Sequence, residues 1–225
     1  MLVGRNIHPE WLSNAYVVAD ATGGTAVFVD SGAEPAPLAA LVEEWGVVPA
    51  VVLRTHAHHD HVAWEDELCD RYGIGVVAAP GEWEWGRIRV RGVATPGHSD
   101  DMVAFLVGDE LVFTGDTLFK DAVGGGDPEQ VRSAVMDVFM PLPDAMRVLP
   151  GHTDETTIRR EREHNPFVRV WSGAEPEGTE RVRVSGRDAT LLVWSPDYDG
   201  KGKAWVRFDD GGDAIVGGSR VERRR

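Results

Sequence analysis

The chain has 225 residues, 42% apolar and 27% charged, which suffices for one large domain or a medium domain with a small appendage, and for a sizeable core in either case. Its net charge of −14 argues against nucleic acid or another polyanion as partner, and no apolar run approaches the roughly 20 residues of a membrane helix. The single cysteine, Cys69, excludes an internal disulfide and a cysteine-built zinc site, so any metal must be held by nitrogen and oxygen.

The opening "MLVGRNIHPEWL" carries no basic region, apolar stretch and cleavage site in series, so no secretory signal is expected and the cytoplasm is the expected compartment. "AYVVAD" (15–20) and "TAVFVD" (25–30) flank Thr22-Gly23-Gly24 and predict a hairpin. Leu38, Leu41, Val42 and Trp45 recur at helical spacing ahead of Gly46. "VVPAVVL" (47–53) predicts a buried strand that feeds directly into "RTHAHHDHVAW". Trp64, Leu68 and Tyr72 then mark a short helix ending at Gly73. "GIGVVAAP", "GRIRVRGVA" and "MVAFLVGDELVFTGD" predict strands, the last a hairpin with a two-residue turn at Gly108-Asp109. Trp83 and Trp85 alternate and are expected to pack on a strand face. Gly124-Gly125-Gly126 predicts a flexible link into a helix capped by Asp127, started by Pro128 and carrying Val131, Val135, Val138 and Leu142 on one face. "AMRVLPGH" predicts a further strand, and "TDETTIRREREHN" a polar helix stopped by Pro166. From about residue 171 the pattern changes to some four short strands without a helix signal, and "SRVERRR" predicts a solvated basic tail.

Residues 56–61 place four histidines and one aspartate in six positions. Histidine or aspartate recurs after other apolar runs: His98 in "TPGHSD", Asp116 in "TGDTLF" and His152 in "LPGHTD". Strand-end loops on a rigid sheet can hold side chains from distant segments in fixed relation. Five imidazoles (His56, His58, His61, His98, His152) and two carboxylates (Asp60, Asp116) form a donor set suited to Zn, Fe or Mn. His59, His8 and His164 fall outside this pattern. Asp30 in "FVDSG" could orient a ligand histidine through its second nitrogen or cap a turn.

The His-x-His-x-Asp-His run at 56–61, "PGH" ending at 98, "TGDTLF" around 116 and "PGH" ending at 152 together resemble the metallo-β-lactamase superfamily, and within it the glyoxalase II-like metallohydrolases. The resemblance covers roughly residues 12 to 168. It implies an α/β (α+β) fold, an αββα sandwich over residues 1–170; the strand pattern beyond it adds a small all-β extension at 171–225, which could cap the cleft, mediate a homodimer or pack on the core. It also implies a first metal on His56, His58 and His98, a second on Asp60, His61 and His152, and Asp116 between them. The implied cofactor is a pair of divalent ions, zinc first, with iron or manganese as alternatives.

Two such ions can share a water and bring its pKa towards neutrality, which is hydrolysis without a protein nucleophile. A thioester or similar activated acyl bond suits this chemistry, because a thiolate leaves without a strong general acid; Asp60 would orient the attacking water. The resemblance leaves two alternatives open: a persulfide dioxygenase-like enzyme with one iron on His56, His98 and Asp116, and a lactonase. A non-enzymatic scaffold is disfavoured by the complete donor set. Glyoxalase II carries a helical C-terminal region and cations that grip glutathione, whereas this chain predicts a β extension and offers only Lys120 after "GDTLF".

Overall fold

The computed structural model describes residues 1–223, so the tail arginines Arg224 and Arg225 lie outside the described residues. The first sheet joins β1 (Leu2–Ile7), β2 (Asn14–Ala19), β3 (Thr25–Val29), β4 (Val48–Leu53) and β5 (Gly75–Val77), in that spatial order. β2 and β3 form the expected hairpin, and β3, β4 and β5 run parallel. The connections carry α1 (Ala36–Trp45), α2 (His59–Val62) and α3 (Glu65–Tyr72). Gly46 and Gly73 end α1 and α3 at φ 62° and 65°, the left-handed conformation that glycine adopts without a Cβ penalty. β1 was not legible as a strand: it is an edge, paired only with β2, and its sequence alternates weakly.

The second sheet is built from β6 (Gly81–Trp85), β7 (Ile88–Ala94), β8 (Val103–Val107) and β9 (Leu111–Gly115). The small hairpin of β10 (Leu118–Phe119) and β11 (Ala122–Val123) stands apart, and β12 (Arg147–Pro150) and β13 (Thr156–Thr157) complete the sheet in the order β13-β12-β9-β8-β7-β6. The β8–β9 connection is a three-residue loop, since Val107 pairs with Leu111, and not the two-residue turn expected; Gly108 takes φ 60° there. Trp83 and Trp85 stack with centroids 6.3 Å apart and pack partly buried against the core between the sheets, as their alternation predicts.

The two sheets press together through Tyr16, Val18, Val29 and Leu53 from one and Val90, Phe105, Phe113 and Leu149 from the other. On the outer side of the first sheet, α1 and α3 bury Leu38, Val42 and Leu68 against Val17, Phe28 and Val52. On the outer side of the second lie α4 (Pro128–Ser133), a π-helical segment (Ala134–Phe139), α5 (Ile158–His164) and α6 (Pro166–Trp171). The layers therefore run helix, sheet, sheet, helix, because β2, β3, β8 and β9 are apolar on both faces and each face must be covered.

Asp127 caps α4 as expected, its side chain accepting from the Gln130 amide, but the helix does not continue as α to residue 142. The π turn inserts a residue, with the Met140 amide bonding to the Val135 carbonyl, so the buried face passes through Val131, Val135 and Phe139 and leaves Val138 and Leu142 only partly covered. Pro166 stops α5 and also opens α6 at its first position, with Asn165 accepting from the Phe167 and Val168 amides.

The C-terminal region forms five strands, β14 (Glu180–Val184), β15 (Arg187–Ser195), β16 (Lys203–Phe208), β17 (Asp213–Gly217) and β18 (Val221–Arg223), ordered β17-β16-β15-β14-β18. One face gathers Val182, Val184, Leu191 and Val206 into a core of its own. The other sends Leu192, Val193, Trp205 and Ile215 into the layer of α4 and α6. The described part of the expected solvated tail is largely exposed, but it is not without structure: Val221–Arg223 pairs with β14, and Arg223 sits over the Trp194 ring at 4.8 Å. No helix of the described residues is long and apolar enough to cross a membrane.

Candidate metal centre

Every chemistry-bearing loop leaves the C-terminal end of a strand, and these strands run in one direction within their sheets: β3 with β4, and β7, β9 and β12 through their pairings. Asp30 follows β3, the 56–61 run follows β4, His98 follows β7, Asp116 follows β9 and His152 follows β12. Parallel direction thus collects residues far apart in sequence at one edge of the sandwich. Within the run, His58 has extended backbone (ψ 143°) and α2 begins at the next residue, which turns His58, Asp60 and His61 into one space.

All seven expected donors meet. His58 Nδ1 lies 3.0 Å from His56 Nε2 and 2.9 Å from His98 Nε2, so three imidazoles aim at one point. Asp60 Oδ2 lies 3.4 Å from His152 Nε2 and 3.7 Å from His61 Nε2, a second group of three. Asp116 stands between them: Oδ1 is 3.4 Å from His61 Nε2, while Oδ2 is 3.4 Å from His152 Nε2 and 3.6 Å from His98 Nε2. His56, His61, His152 and Asp116 are buried, whereas His58 is exposed and Asp60 and His98 half-buried, so the cluster opens to solvent on the His58 side.

The outer nitrogens fix the rings. His98 Nδ1 donates to the Gly125 carbonyl at 2.8 Å and His152 Nδ1 to the Leu12 carbonyl at 3.0 Å. A carbonyl only accepts, so both rings carry a proton on Nδ1 and turn Nε2 inward, the atom that would face a cation. His61 Nδ1 faces Asp30 Oδ2 at 2.9 Å, and Asp30 also accepts from the Thr55 amide (2.7 Å) and hydroxyl (2.8 Å). Asp30 thus orients a cluster histidine instead of merely capping a turn. His61 Nε2 and Asp116 Oδ1 are buried without a hydrogen-bond partner. Leaving such groups unpaired is costly unless something else occupies the space between them, and a cation fits that role for this mixed nitrogen and carboxylate set.

Glycines make room for this geometry. A Cβ on Gly151, the glycine of the second "PGH", would lie 2.2 Å from Asp116 Oδ1 and 2.7 Å from His61 Cε1; one on Gly124 would lie 1.7 Å from the Asp116 carbonyl oxygen. Gly124–Gly126 is therefore not the flexible link expected: it supports Asp116, and Gly125 holds His98. Gly151→Ala is expected to lower metal content by more than half while the far-ultraviolet circular dichroism stays that of the folded protein.

Electrostatics follow from burial and the two carboxylates. Burial, with the neighbouring His61 charge, lowers His56 to about 4. Burial also opposes charge on His152, but Asp116 and Asp60 outweigh it and raise His152 to about 10; His61 is raised in the same way, chiefly by Asp116 and Asp30. Asp116 is held well below the usual carboxylate range, since His61, His152 and His98 overcome its burial. In metal-free protein, His152 therefore binds a proton more tightly folded than unfolded. Its stabilising contribution is complete below about pH 6.5 and disappears as pH rises through about 10. Urea titrations of chelator-treated protein are expected to lose on the order of a few kcal/mol between these limits. His152→Gln should flatten that slope.

Sequence reasoning missed Tyr198, which comes from the β15–β16 loop. Its ring stacks on His152 with centroids 4.0 Å apart and 7° between planes. The C-terminal sheet thus packs on the core, as one expectation held, and also reaches the cluster. His59 is exposed and edges Trp11 at 4.8 Å; His8 is buried and accepts from the Glu10 and Trp11 amides; His164 is exposed on α5. None of the three joins the cluster.

Two facing sheets between helical layers, with histidines and aspartates gathered at one edge, define an αββα protein with a candidate metal-binding cluster. The sequence pattern of the metallo-β-lactamase superfamily matches residues 8–95, and the chain belongs to that superfamily. It is 28% identical over 200 residues to the probable metallo-hydrolase YqgX of Bacillus subtilis, spanning 71% of this chain and 94% of that protein. It is 29% identical over 194 residues to a hydroxyacylglutathione hydrolase of Acidiphilium cryptum, spanning 78% of this chain and 79% of the relative. The crystal structure of ETHE1 from Myxococcus xanthus aligns with a TM-score of 0.68 and 27% identity over 78% of this chain and 92% of that one.

Proposed function

We propose that this protein is a metal-dependent hydrolase of a thioester or similar activated acyl bond. The observation that carries the reading is the division of seven converging donors into two groups of three with Asp116 between them. His56, His58 and His98 would hold one divalent ion, and Asp60, His61 and His152 the other; zinc is the inferred metal, with iron or manganese as alternatives. Bound there, two such ions would supply a water of near-neutral pKa and polarise a carbonyl. The likeness to hydroxyacylglutathione hydrolase supports the acyl-transfer class.

The chain's own residues do the rest. Carbonyl partners on the Nδ1 atoms of His98 and His152 fix these rings with Nε2 facing the cluster, so Nε2 is the atom each would offer a cation once its proton is lost. Asp60, half-buried at the open side and held below the usual carboxylate range despite its burial by His152 and His61, is ionised and able to accept a proton from an attacking water. A protein nucleophile is not required, and the one cysteine, Cys69, sits on α3 itself, partly buried against the core cluster of Leu68 and its neighbours.

His56, His98 and Asp116 could alternatively hold a single iron, as a dioxygenase would require, and a lactone is a substrate the paired site could also take. Elemental analysis of protein as purified, beside a panel of thioesters, lactones and persulfides, decides among them. Two metals per chain with thioester turnover is the expected result; one iron with sulfite formed from a persulfide would overturn it.

A further inference from the structure

A cleft of about 320 Å³ opens beside His152, between the N-terminal segment and the β15–β16 loop, and Ile7, Leu12, Pro196 and Tyr198 supply its apolar walls. Ile7 and Leu12 are 41% and 37% exposed, unusual for large apolar side chains beside a polar centre. Leu12 holds its position at φ 59°, where its carbonyl accepts a hydrogen bond from His152 Nδ1. The cleft wall and a ring of the donor cluster are therefore one rigid unit.

The opposite wall is equally fixed. Asp197 and Lys203 form a nearly buried ion pair at 2.9 Å, and the Asp197 carboxylate also accepts from the Tyr198 amide. Lys203 Nζ lies 5.8 Å from the Tyr198 ring and 6.0 Å from Phe119, which itself meets Tyr198 edge-on at 5.8 Å. Tyr198 is thus clamped between His152, Phe119 and Lys203, and a buried ion pair with a polar turn beneath it is an expensive way to build an ordinary surface loop.

Charge decides what the cleft takes. Lys120 lines it but is paired with Asp154 at 3.7 Å, and Lys203 is paired with Asp197. The acids are engaged in the same way, Asp197 by Lys203 and Asp154 by Lys120 and Arg5, so the charged groups around the cleft are paired with one another and no cation is set aside for a ligand carboxylate. The two carboxylates of a glutathione thiol would find no cation set aside for them there; a hydrocarbon chain would meet aliphatic and aromatic surface and release water from it.

We propose that this cleft, completed by Tyr198 from the C-terminal sheet, is the site for the uncharged hydrocarbon chain of the acyl substrate, and that the protein prefers medium-chain acyl groups over acetyl or anionic ones. The inference rests on the hydrolase reading above for the word substrate, but the cleft binds its ligand independently of turnover.

The test uses non-hydrolysable thioethers with the protein as purified. In calorimetry, S-hexyl-N-acetylcysteamine is expected to bind at least ten-fold more tightly than S-methyl-N-acetylcysteamine, and more tightly than S-hexylglutathione. Ile7→Asp, on an edge strand where folding is little affected, should remove the chain-length preference. Tyr198→Ala should do the same and Tyr198→Phe should restore it, because only the ring is used. Equal affinity for hexyl and methyl probes, or a preference untouched by Ile7→Asp and Tyr198→Ala, overturns the proposal. Hydrolysis of hexanoyl and acetyl thioesters of N-acetylcysteamine separates the two readings. Turnover with no chain-length preference sinks the cleft alone; chain-length-dependent binding with no thioester turnover supports the cleft and sinks the hydrolase reading.

Discussion

His58→Ala is expected to cut thioester hydrolysis by at least about 100-fold and to reduce bound metal from two ions to one per chain. His58 is the apex of the first group, its Nδ1 3.0 Å from His56 Nε2 and 2.9 Å from His98 Nε2. It is also exposed, so truncating it leaves no cavity, and stability in the metal-free state should change by no more than about 0.5 kcal/mol. The loss can therefore be assigned to the metal and not to misfolding. The neighbouring His59 serves as control: it is exposed, contributes no donor to the cluster, and His59→Ala should leave turnover within about two-fold of the parent. Metal content by elemental analysis and kcat/KM on the same preparations check both. Full activity in His58→Ala would defeat the two-metal mechanism while leaving the fold and family untouched.

The cluster was readable from the chain because its donors sit in short runs that each follow an apolar strand, and because strand-end loops of parallel strands necessarily share an edge. The layers were readable for a related reason: strands apolar on both faces, such as β2 and β8, demand cover on both sides. What stayed hidden depends on contacts between segments. The π turn after Ser133 leaves no mark in the spacing of Val131 and Val135, and shows only in Phe139 taking the buried place expected of Val138. The β10–β11 hairpin is two residues a strand, too short to display a period. Tyr198 is separated from His152 by 46 positions, and nothing around "SPDYDG" points to the cluster; only the docking of Leu192, Val193 and Trp205 onto α4 and α6 brings the loop there. The glycine run at 124–126 was visible, yet its purpose was not, because a close approach to Asp116 cannot be inferred from a missing Cβ alone.

Asp30→Ala is the substitution expected to damage both stability and metal binding. The carboxylate is 2% exposed and accepts from the Thr55 amide, the Thr55 hydroxyl and His61 Nδ1, all buried. Alanine would strand all three donors and would also have to hold φ 53°, which aspartate tolerates better than alanine because its short polar chain bonds locally. Together these effects should destabilise the metal-free protein by about 3–5 kcal/mol in urea denaturation. Because His61 loses the partner that fixes its ring, chelator competition should also reveal a fall of about 10–100-fold in affinity for one of the two metals. Asp30→Asn separates the two effects. It keeps the backbone preference and one acceptor oxygen but not the charge, and that oxygen can serve Thr55 or His61 but not both as the carboxylate does. The asparagine protein should recover most of the stability while metal affinity stays reduced. Wild-type affinity in both variants would mean that His61 is oriented by its own packing, and that Asp30 only ties β3 to the start of the histidine run.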